Sequence, residues 1–220
     1  CLGERVREEG LRVVGVPTST RTAELARQVG VPVTSLDDAK WLDLTIDGAD
    51  EFDPNLALIK GGGAALLQEK IVATASDQMI VIADAAKEVA QLGAFPLPVE
   101  IIPFGWQTTK ALVEELLVGM DVLDRDVTLR MNGDKPLLTD EANYIVDLHL
   151  KRIGNPRQLS LVLNQIPGVV ENGLFIDICD IVIIGHGDGR VTVRDINEGT
   201  ERDDRILFAP DTNIFADLGD

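Results

Sequence analysis

The most constraining feature of the sequence is a continuous apolar run at residues 79–83, Met-Ile-Val-Ile-Ala. A run of this kind, without polar alternation, is typical of a strand buried on both faces, as in the parallel sheets of α/β proteins. Shorter apolar runs alternate with helical patterns before it. They predict strands at residues 11–16, 31–36 and 42–46 and helices at residues 22–29 and 64–76. This alternation predicts an α/β fold with a doubly wound, Rossmann-like parallel sheet.

The pattern changes at Phe95-Pro-Leu-Pro98, where two prolines stiffen the chain and mark a domain boundary. Beyond it the predicted order is β-α-β-β-α-β, which is the order of a ferredoxin-like α+β unit. The strands are predicted at residues 99–102, 127–130, 144–150 and 169–171, and the helices at residues 106–117 and 156–165. An apolar run at residues 181–185, a turn at Asp188-Gly189 and a second run at residues 191–193 then predict a hairpin that rejoins the first sheet.

These patterns predict three parts of the chain. Residues 1–97 and 172–196 form a discontinuous Rossmann-like catalytic domain, and residues 98–171 form the smaller ferredoxin-like domain. Residues 197–220 are polar and acidic with scattered apolar positions, so we expect a tail that is loose or docked on a neighbouring subunit.

The charge balance narrows the classes of partner. With 37 acids against 20 bases, the formal net charge of −17 repels nucleic-acid phosphates and anionic membrane surfaces. The two cysteines, Cys1 and Cys179, have neither metal-site spacing nor the pattern of a disulfide framework, which favours a reducing cytoplasm. No apolar run reaches the roughly 18 residues of a membrane span. We therefore expect a cytoplasmic protein that binds neither nucleic acid nor membranes.

Candidate site residues gather in one strand, loop and helix unit. Asp47 and Asp50 follow a predicted strand, and ligands bind where strands of an open α/β sheet end. Lys60 precedes Gly61-Gly62-Gly63, whose backbone N–H groups at a helix start suit an oxyanion or a phosphate. Glu69 lies about two turns further along that helix. Each feature alone also fits a solvated turn, a hinge or an exposed helix face, but their joint occurrence favours a site.

At these residues the sequence resembles the type A family of ribose-5-phosphate isomerases. The matching runs are Asp47-Gly-Ala-Asp-Glu51, Ile59-Lys-Gly-Gly-Gly-Ala-Ala-Leu66, Glu69-Lys70-Ile71, Ile82-Ala-Asp-Ala-Ala-Lys87 and Leu92-Gly-Ala-Phe-Pro-Leu-Pro-Val-Glu100. The resemblance implies interconversion of ribose 5-phosphate and ribulose 5-phosphate in the pentose phosphate pathway. It further implies a sugar phosphate as the only small-molecule partner, with no metal and no organic cofactor. We expect a homodimer or a homotetramer.

The resemblance also implies roles for individual residues. Glu69 is the base that moves a proton between C1 and C2 through an enediolate, and Asp47 handles hydroxyl protons and ring opening. Lys60, with the N–H groups of Gly61, Gly62 and Gly63, stabilises the enediolate charge. Asp50, in the Asp47-Gly48-Ala49-Asp50 loop, binds sugar hydroxyls, and Lys87 is a further substrate-binding lysine. Proton abstraction beside a carbonyl requires such a base and such a fixed positive environment.

One part of the family pattern has no counterpart in these residues. The family has an N-terminal strand followed by a Gly-Thr-Gly-Ser-Thr type loop that grips the phosphate, and nothing similar precedes Leu11. Thr18-Ser19-Thr20 follows the next strand in order and is no substitute. We expect the phosphate loop to lie upstream of Cys1. Two alternatives remain: a sugar-phosphate sensor without catalysis, and a CoA-transferase-like enzyme with a glutamate as acyl acceptor.

Overall fold

The structure is a computed structural model that describes residues 2–205. The helices are α1 Leu2–Glu8, α2 Thr20–Gln28, α3 Leu36–Ala39, α4 Leu66–Thr74, α5 Trp106–Val118 and α6 Pro156–Leu163. The strands are β1 Thr45–Asp47, β2 Glu51–Phe52, β3 Leu58–Ile59, β4 Met79–Asp84, β5 Leu97–Ile101, β6 Asp126–Leu129, β7 Met131–Asn132, β8 Lys135–Pro136, β9 Tyr144–His149, β10 Val169–Asn172, β11 Leu174–Phe175, β12 Ile181–Gly185, β13 Arg190–Asp195 and β14 Thr200–Arg205.

The larger sheet has five strands in the order β1-β4-β12-β13-β14. β1, β4 and β12 are parallel, with Asp47 opposite Val81 and Ile181 opposite Ile80. β13 and β14 are antiparallel additions to this parallel core. The predicted α/β class is confirmed, and the sheet is mixed because a hairpin extends one side of it.

The residues on one face of this sheet pack into an apolar core. Met79, Val81 and Val182 alternate inward, and Phe52 and Phe175 fill the space in front of them. Cys179 belongs to the same core, where burial raises the pKa of its thiol to about 12. This core fixes the strand ends from which the site residues project.

The second large sheet has four antiparallel strands in the order β10-β5-β9-β6. With α5 after β5 and α6 after β9, the element order is the ferredoxin-like order that the sequence predicts. Helix α6 begins at Pro156, and the Asn155 side chain accepts a hydrogen bond from Gln158 N. The apolar core of this unit includes Leu97, Val113 and Leu148. The exact domain boundaries stay a prediction.

A three-stranded sheet, β11-β3-β2, was not predicted from the sequence. Each of its strands has only two residues, which is too short for a readable alternation. It is nevertheless important for function, because Lys60 directly follows β3 and Lys60 N donates to Gly173 O at 2.9 Å.

Two predicted strands are much reduced. Residues 11–16 and 31–36 contain one isolated parallel bridge, between Gly15 and Val33, and residues 36–39 are helical. Pro17 and Pro32 remove backbone donors at these positions, so a regular ladder cannot extend through them. The strand predicted at residues 42–46 is shorter as well, and β1 begins at Thr45.

Within the segment expected to be loose or docked on a neighbouring subunit, residues 200–205 form β14 along β13. The connection is a tight turn in which Asp195 Oδ1 accepts hydrogen bonds from Asn197 N and Glu198 N, and Gly199 has φ +63°. Glu201 pairs with Arg194 across the strands. Compensated cross-strand charges therefore let this polar segment form an edge strand. Residues 206–220 lie outside the described part of the chain.

Glu100 generates a stability prediction because it is fully buried in β5. Its Oε1 accepts hydrogen bonds from Thr139 Oγ1 and Asn143 Nδ2, both at 2.9 Å, whereas Oε2 accepts none from the described residues. Burial raises the pKa of this carboxyl, so its ionised form is a cost at neutral pH. We expect Glu100→Gln to raise the free energy of unfolding by about 1 kcal/mol at pH 7, since an unpartnered charge costs more than an unpartnered amide.

The sign of the effect is checked by pH. The wild type regains stability as the pH falls through the raised pKa, so its deficit relative to Glu100→Gln disappears below about pH 4. Urea denaturation at several pH values measures this, with Glu115→Gln on the exposed face of α5 as the control. A variant that is less stable than the wild type at pH 7 contradicts the assignment.

Candidate active site

Asp47 and the loop after it form the first wall of the site. Asp47 is the last residue of β1, and its Oδ1 accepts a hydrogen bond from Gly48 N at 2.8 Å. Asp50 is held three residues later by its own N–H, which donates to Ile59 O at 2.8 Å. The loop thus bends back over β3 and presents both carboxylates at the carboxyl end of a parallel strand, where helix starts and loops also converge.

Lys60 lies at the centre of the site. Its side chain is only 3% exposed, and Nζ lies 3.0 Å from Asp47 Oδ2 and 3.2 Å from Glu69 Oε2. Nζ also donates a hydrogen bond to Gly48 O at 2.6 Å. The ring of Phe175 lies on another side, with its centre 5.5 Å from Nζ. The ammonium group is therefore surrounded by two carboxylates, a carbonyl and an aromatic face.

The glycine run is a tight turn into α4. Gly61 has φ +103°, and a Cβ atom there would lie 2.8 Å from Leu66 Cδ2, so glycine is required at this position. Gly62 N donates to Asp50 Oδ2 at 2.8 Å. Ala64 is also left-handed, with φ +64°, and Ala64 N donates to Gly61 O at 3.0 Å. No side chain caps α4, so its first N–H groups are left for an anion.

Glu69 is in the first turn of α4 and is half-buried beside Lys60. Burial raises the pKa of its carboxyl, and the negative charges of Asp47 and Asp50 raise it further, while the positive charge of Lys60 lowers it. The net direction is upward. A carboxylate with a raised pKa binds a proton more readily near neutral pH, which is what a general base requires.

The structure brings Asp47, Lys60 and Glu69 into direct contact and joins Asp50 to them through Gly62. Lys87 ends a short 3-10 turn after β4, on the same sheet edge. Within residues 2–205, no hydrogen bond or ion pair joins Lys87 to the cluster. Ala49 packs against the apolar core below the loop.

Three neighbours of the site were not found from the sequence. Phe175 is close to two cations, because its ring centre lies 5.5 Å from Lys60 Nζ and 5.0 Å from Lys70 Nζ. Gly173 lets the backbone of β11 approach Lys60, since a Cβ atom there would lie 2.3 Å from Lys60 O. Arg130 donates hydrogen bonds to the carbonyls of Gly61 and Gly62 at 2.8 and 3.2 Å. Nothing in the sequence spacing links Gly173 or Phe175 to Lys60.

Two further properties concern the described residues as a whole. None of their helices is both long enough and apolar enough to cross a membrane. Among the same residues, no cluster of three or more His, Cys, Asp or Glu side chains has an arrangement that could hold a metal ion.

A buried carboxylate beside a buried lysine, at the carboxyl edge of a parallel sheet, is the arrangement expected of an active site in an α/β enzyme. The sequence profile of one family, ribose 5-phosphate isomerase A (phosphoriboisomerase A), matches residues 14–189. The chain belongs to the ribose 5-phosphate isomerase A family.

Individual relatives agree with this assignment. The chain is 76% identical over its whole length to ribose-5-phosphate isomerase A of Cereibacter sphaeroides, of which it covers 84%. It is 73% identical, again over its whole length, to the enzyme of the same name from Ruegeria pomeroyi, with the same 84% coverage of that relative. Among solved structures, a D-ribose-5-phosphate isomerase in complex with phospho-erythronic acid superimposes with a TM-score of 0.81 at 42% identity, covering 88% of this chain and 83% of that one. The enzyme of Methanocaldococcus jannaschii gives 0.80 at 38% identity, with the same coverage of each chain.

The charges around Glu69 predict how the pH dependence of the reaction shifts. If Glu69 acts as a base it must be ionised, so we expect kcat/KM to fall as the pH drops through the pKa of Glu69, which lies above the ordinary value of about 4.3. Asp47→Asn removes a charge that raises this pKa, so we expect the acidic limb to move to lower pH. Lys60→Met removes the charge that lowers it, so the limb moves to higher pH. Steady-state profiles between pH 4 and 9 measure both shifts, and Glu24→Gln on the exposed face of α2 serves as control. Shifts in the same direction for both variants contradict the arrangement.

Proposed function

We propose that this chain interconverts D-ribose 5-phosphate and D-ribulose 5-phosphate by moving one proton between C2 and C1. The observation that supports this best is the contact of Lys60 with both Asp47 and Glu69 in a site that is largely closed to water. An aldose–ketose isomerisation needs a base for the carbon acid, a cation for the oxyanion and a group that handles hydroxyl protons. These three side chains supply one of each.

In the first step the Glu69 carboxylate removes the proton from C2 of the open-chain aldose. The electron pair of the broken C–H bond forms the C1–C2 double bond, and the carbonyl electrons become the negative charge on O1. Lys60 and the N–H groups of the glycine turn stabilise that charge. A proton then moves from the C2 hydroxyl to O1 with help from Asp47. Protonated Glu69 delivers its proton to C1, which yields the ketose and restores the carboxylate.

Asp47 also assists opening of the sugar ring, because a carboxylate beside a lysine can accept and return a hydroxyl proton. Asp50 binds sugar hydroxyls through the oxygen that it does not share with Gly62 N. Lys87, at the end of the 3-10 turn after β4, binds the charged end of the substrate in this proposal. The Gly48 and Ala49 backbone, with Gly61 and Gly63, completes the wall against which the sugar chain lies.

The sensor alternative gains no support from any of these features. A binding protein needs the lysine and the glycine turn but not a carboxylate whose pKa is raised beside them. We place the enzyme in the cytoplasm as a homodimer or homotetramer acting in the pentose phosphate pathway. The direct test is conversion of ribose 5-phosphate by the complete gene product, followed with exchange of the C2 proton into solvent. Absence of turnover with every pentose phosphate excludes the proposed reaction.

Replacing the base gives the sharpest prediction for catalysis. Glu69→Gln keeps the size of the side chain but cannot accept a carbon-bound proton, so we expect kcat to fall by roughly 100-fold to 10,000-fold. KM changes little, because the amide still occupies the same position. Steady-state assays measure kcat, and calorimetry measures substrate binding. Glu115→Gln is the matched control, and near-normal turnover of Glu69→Gln means that another group is the base.

Replacing the cation separates transition-state stabilisation from binding. Lys60→Ala removes the charge that meets the developing oxyanion, so we expect kcat to fall by roughly 100-fold or more while KM changes much less. Circular dichroism and thermal unfolding check that the variant is folded, since the two carboxylates left behind repel each other. A change confined to KM indicates that Lys60 binds the ground state only.

A further inference from the structure

Arg130 reaches the active site from the four-stranded sheet. It directly follows β6, and its backbone is fixed on both sides because Arg130 N donates to Ile145 O at 2.8 Å and Arg130 O accepts from Leu137 N at 2.9 Å. Its side chain is only 15% exposed. From this position the guanidinium group extends to the glycine turn between β3 and α4.

The orientation of the guanidinium group is set by Asp147 on β9. Arg130 Nε donates to Asp147 Oδ2 at 2.8 Å, and Nη2 donates to the second carboxylate oxygen, Oδ1. This is a two-point pair between a planar fork and a planar acceptor, so it fixes direction as well as distance. It leaves Nη1 to point away from Asp147, toward the turn.

Nη1 donates to two successive backbone carbonyls, Gly61 O at 2.8 Å and Gly62 O at 3.2 Å. In a trans peptide the C=O and N–H groups point in opposite directions. With both carbonyls held on Arg130, the N–H groups of Gly62 and Gly63 point away from it. The Gly62 N–H donates to Asp50 Oδ2 at 2.8 Å, on the side of the turn that faces away from Arg130.

A glycine run has little intrinsic preference for one orientation of its peptides, because no Cβ restricts φ and ψ. Gly62 and Gly63 are exposed, and a Cβ atom at Gly63 would meet no neighbour within 4 Å. Apart from Asp50, whose Oδ1 would lie 2.6 Å from a Cβ atom at Gly62, packing does not hold these two peptides. A cation bonded to their carbonyls both holds them and polarises their N–H groups as donors, since chains of hydrogen bonds strengthen one another.

We propose that Arg130 is a positioning residue for isomerisation, which orients and polarises the Gly62 N–H that holds Asp50 and the Gly63 N–H that receives the enediolate or the substrate's anionic end, with Asp147 fixing its direction. This inference rests on the proposed function. It gives the four-stranded sheet a role in the reaction, although none of the described side chains of that sheet is proposed to touch the reacting atoms. It also explains why an arginine is needed, because a lysine ammonium cannot bind both Asp147 oxygens and two carbonyls in one plane.

A second arginine–aspartate pair, in the connections beside the four-stranded sheet, provides the control. Arg152 pairs with Asp121 through two nitrogens, and neither residue contacts the glycine turn. This pair is more exposed than the Arg130–Asp147 pair, and removing it leaves the site untouched. An effect that the Arg130 and Arg152 variants share therefore comes from a change in the four-stranded unit and not from a change in the glycine turn.

The test compares Arg130→Gln, Arg130→Lys, Asp147→Asn and Arg152→Gln with the wild type in the complete protein. We expect kcat to fall by about tenfold or more in Arg130→Gln and Arg130→Lys, with KM within threefold, because a misplaced donor is lost mainly in the transition state. Asp147→Asn keeps the arginine and loses less, and Arg152→Gln matches the wild type. Hydrogen–deuterium exchange of the peptide covering residues 58–66 rises by at least tenfold in the two Arg130 variants only.

Several outcomes overturn the proposal. These are turnover within twofold of the wild type in both Arg130 variants, a change in KM alone, an equal loss in Arg152→Gln, or unchanged exchange at residues 58–66. If Arg130→Gln fails to fold, Arg130→Lys and Asp147→Asn decide the question by the same two measurements. If the wild type itself lacks isomerase activity, the proposed function fails, and the exchange measurement alone decides whether Arg130 holds the turn.

Discussion

The interaction on which the rest of the site depends is the burial of the Lys60 ammonium between two carboxylates. A charge that is removed from water costs several kcal/mol unless other charges and hydrogen bonds replace the solvent. Asp47, Glu69, the Gly48 carbonyl and the Phe175 ring make that replacement together. They reach Lys60 from three segments of the chain, which are the end of β1 with the loop after it, helix α4 and β11. Lys60 can therefore be buried only when all of these segments are in their folded positions.

The scaffold explains how so many segments meet at one atom. β1 ends at Asp47, β3 ends one residue before Lys60, and α4 starts just after the glycine turn. β11 places Phe175 beside them through its pairing with β3. Two-residue strands are marginal on their own, but β3 is fixed by β2 on one side and β11 on the other. The three-stranded sheet β11-β3-β2 thus holds Lys60 in a fixed position beside the apolar core.

The sequence predicts the chemistry of the site better than it predicts the site's surroundings. Asp47, Lys60 and Glu69 lie within one strand, loop and helix unit, so spacing and residue type are enough to bring them together. Arg130 lies about 70 residues further along and in the other large sheet, and no local pattern links it to Gly61. Gly173 is similar, because its role is a close approach to Lys60 O that only a tertiary structure contains. The strands predicted at residues 11–16 and 31–36 failed for another reason, since apolar content indicated a strand where prolines limit its hydrogen bonding.

The uncapped start of α4 illustrates how stability and function are balanced here. A serine or aspartate at the position of Ala65 would satisfy the free N–H groups and stabilise the helix by about 1 kcal/mol. Its side chain would then occupy the donors that an enediolate or a phosphate needs. Ala64 adds a further cost, because a non-glycine residue in the left-handed region loses roughly 1–2 kcal/mol. The Gly61 carbonyl, which accepts from both Ala64 N and Arg130, offsets part of that cost. The turn is therefore stabilised by Arg130 on its carbonyl side and by Asp50 at the Gly62 N–H.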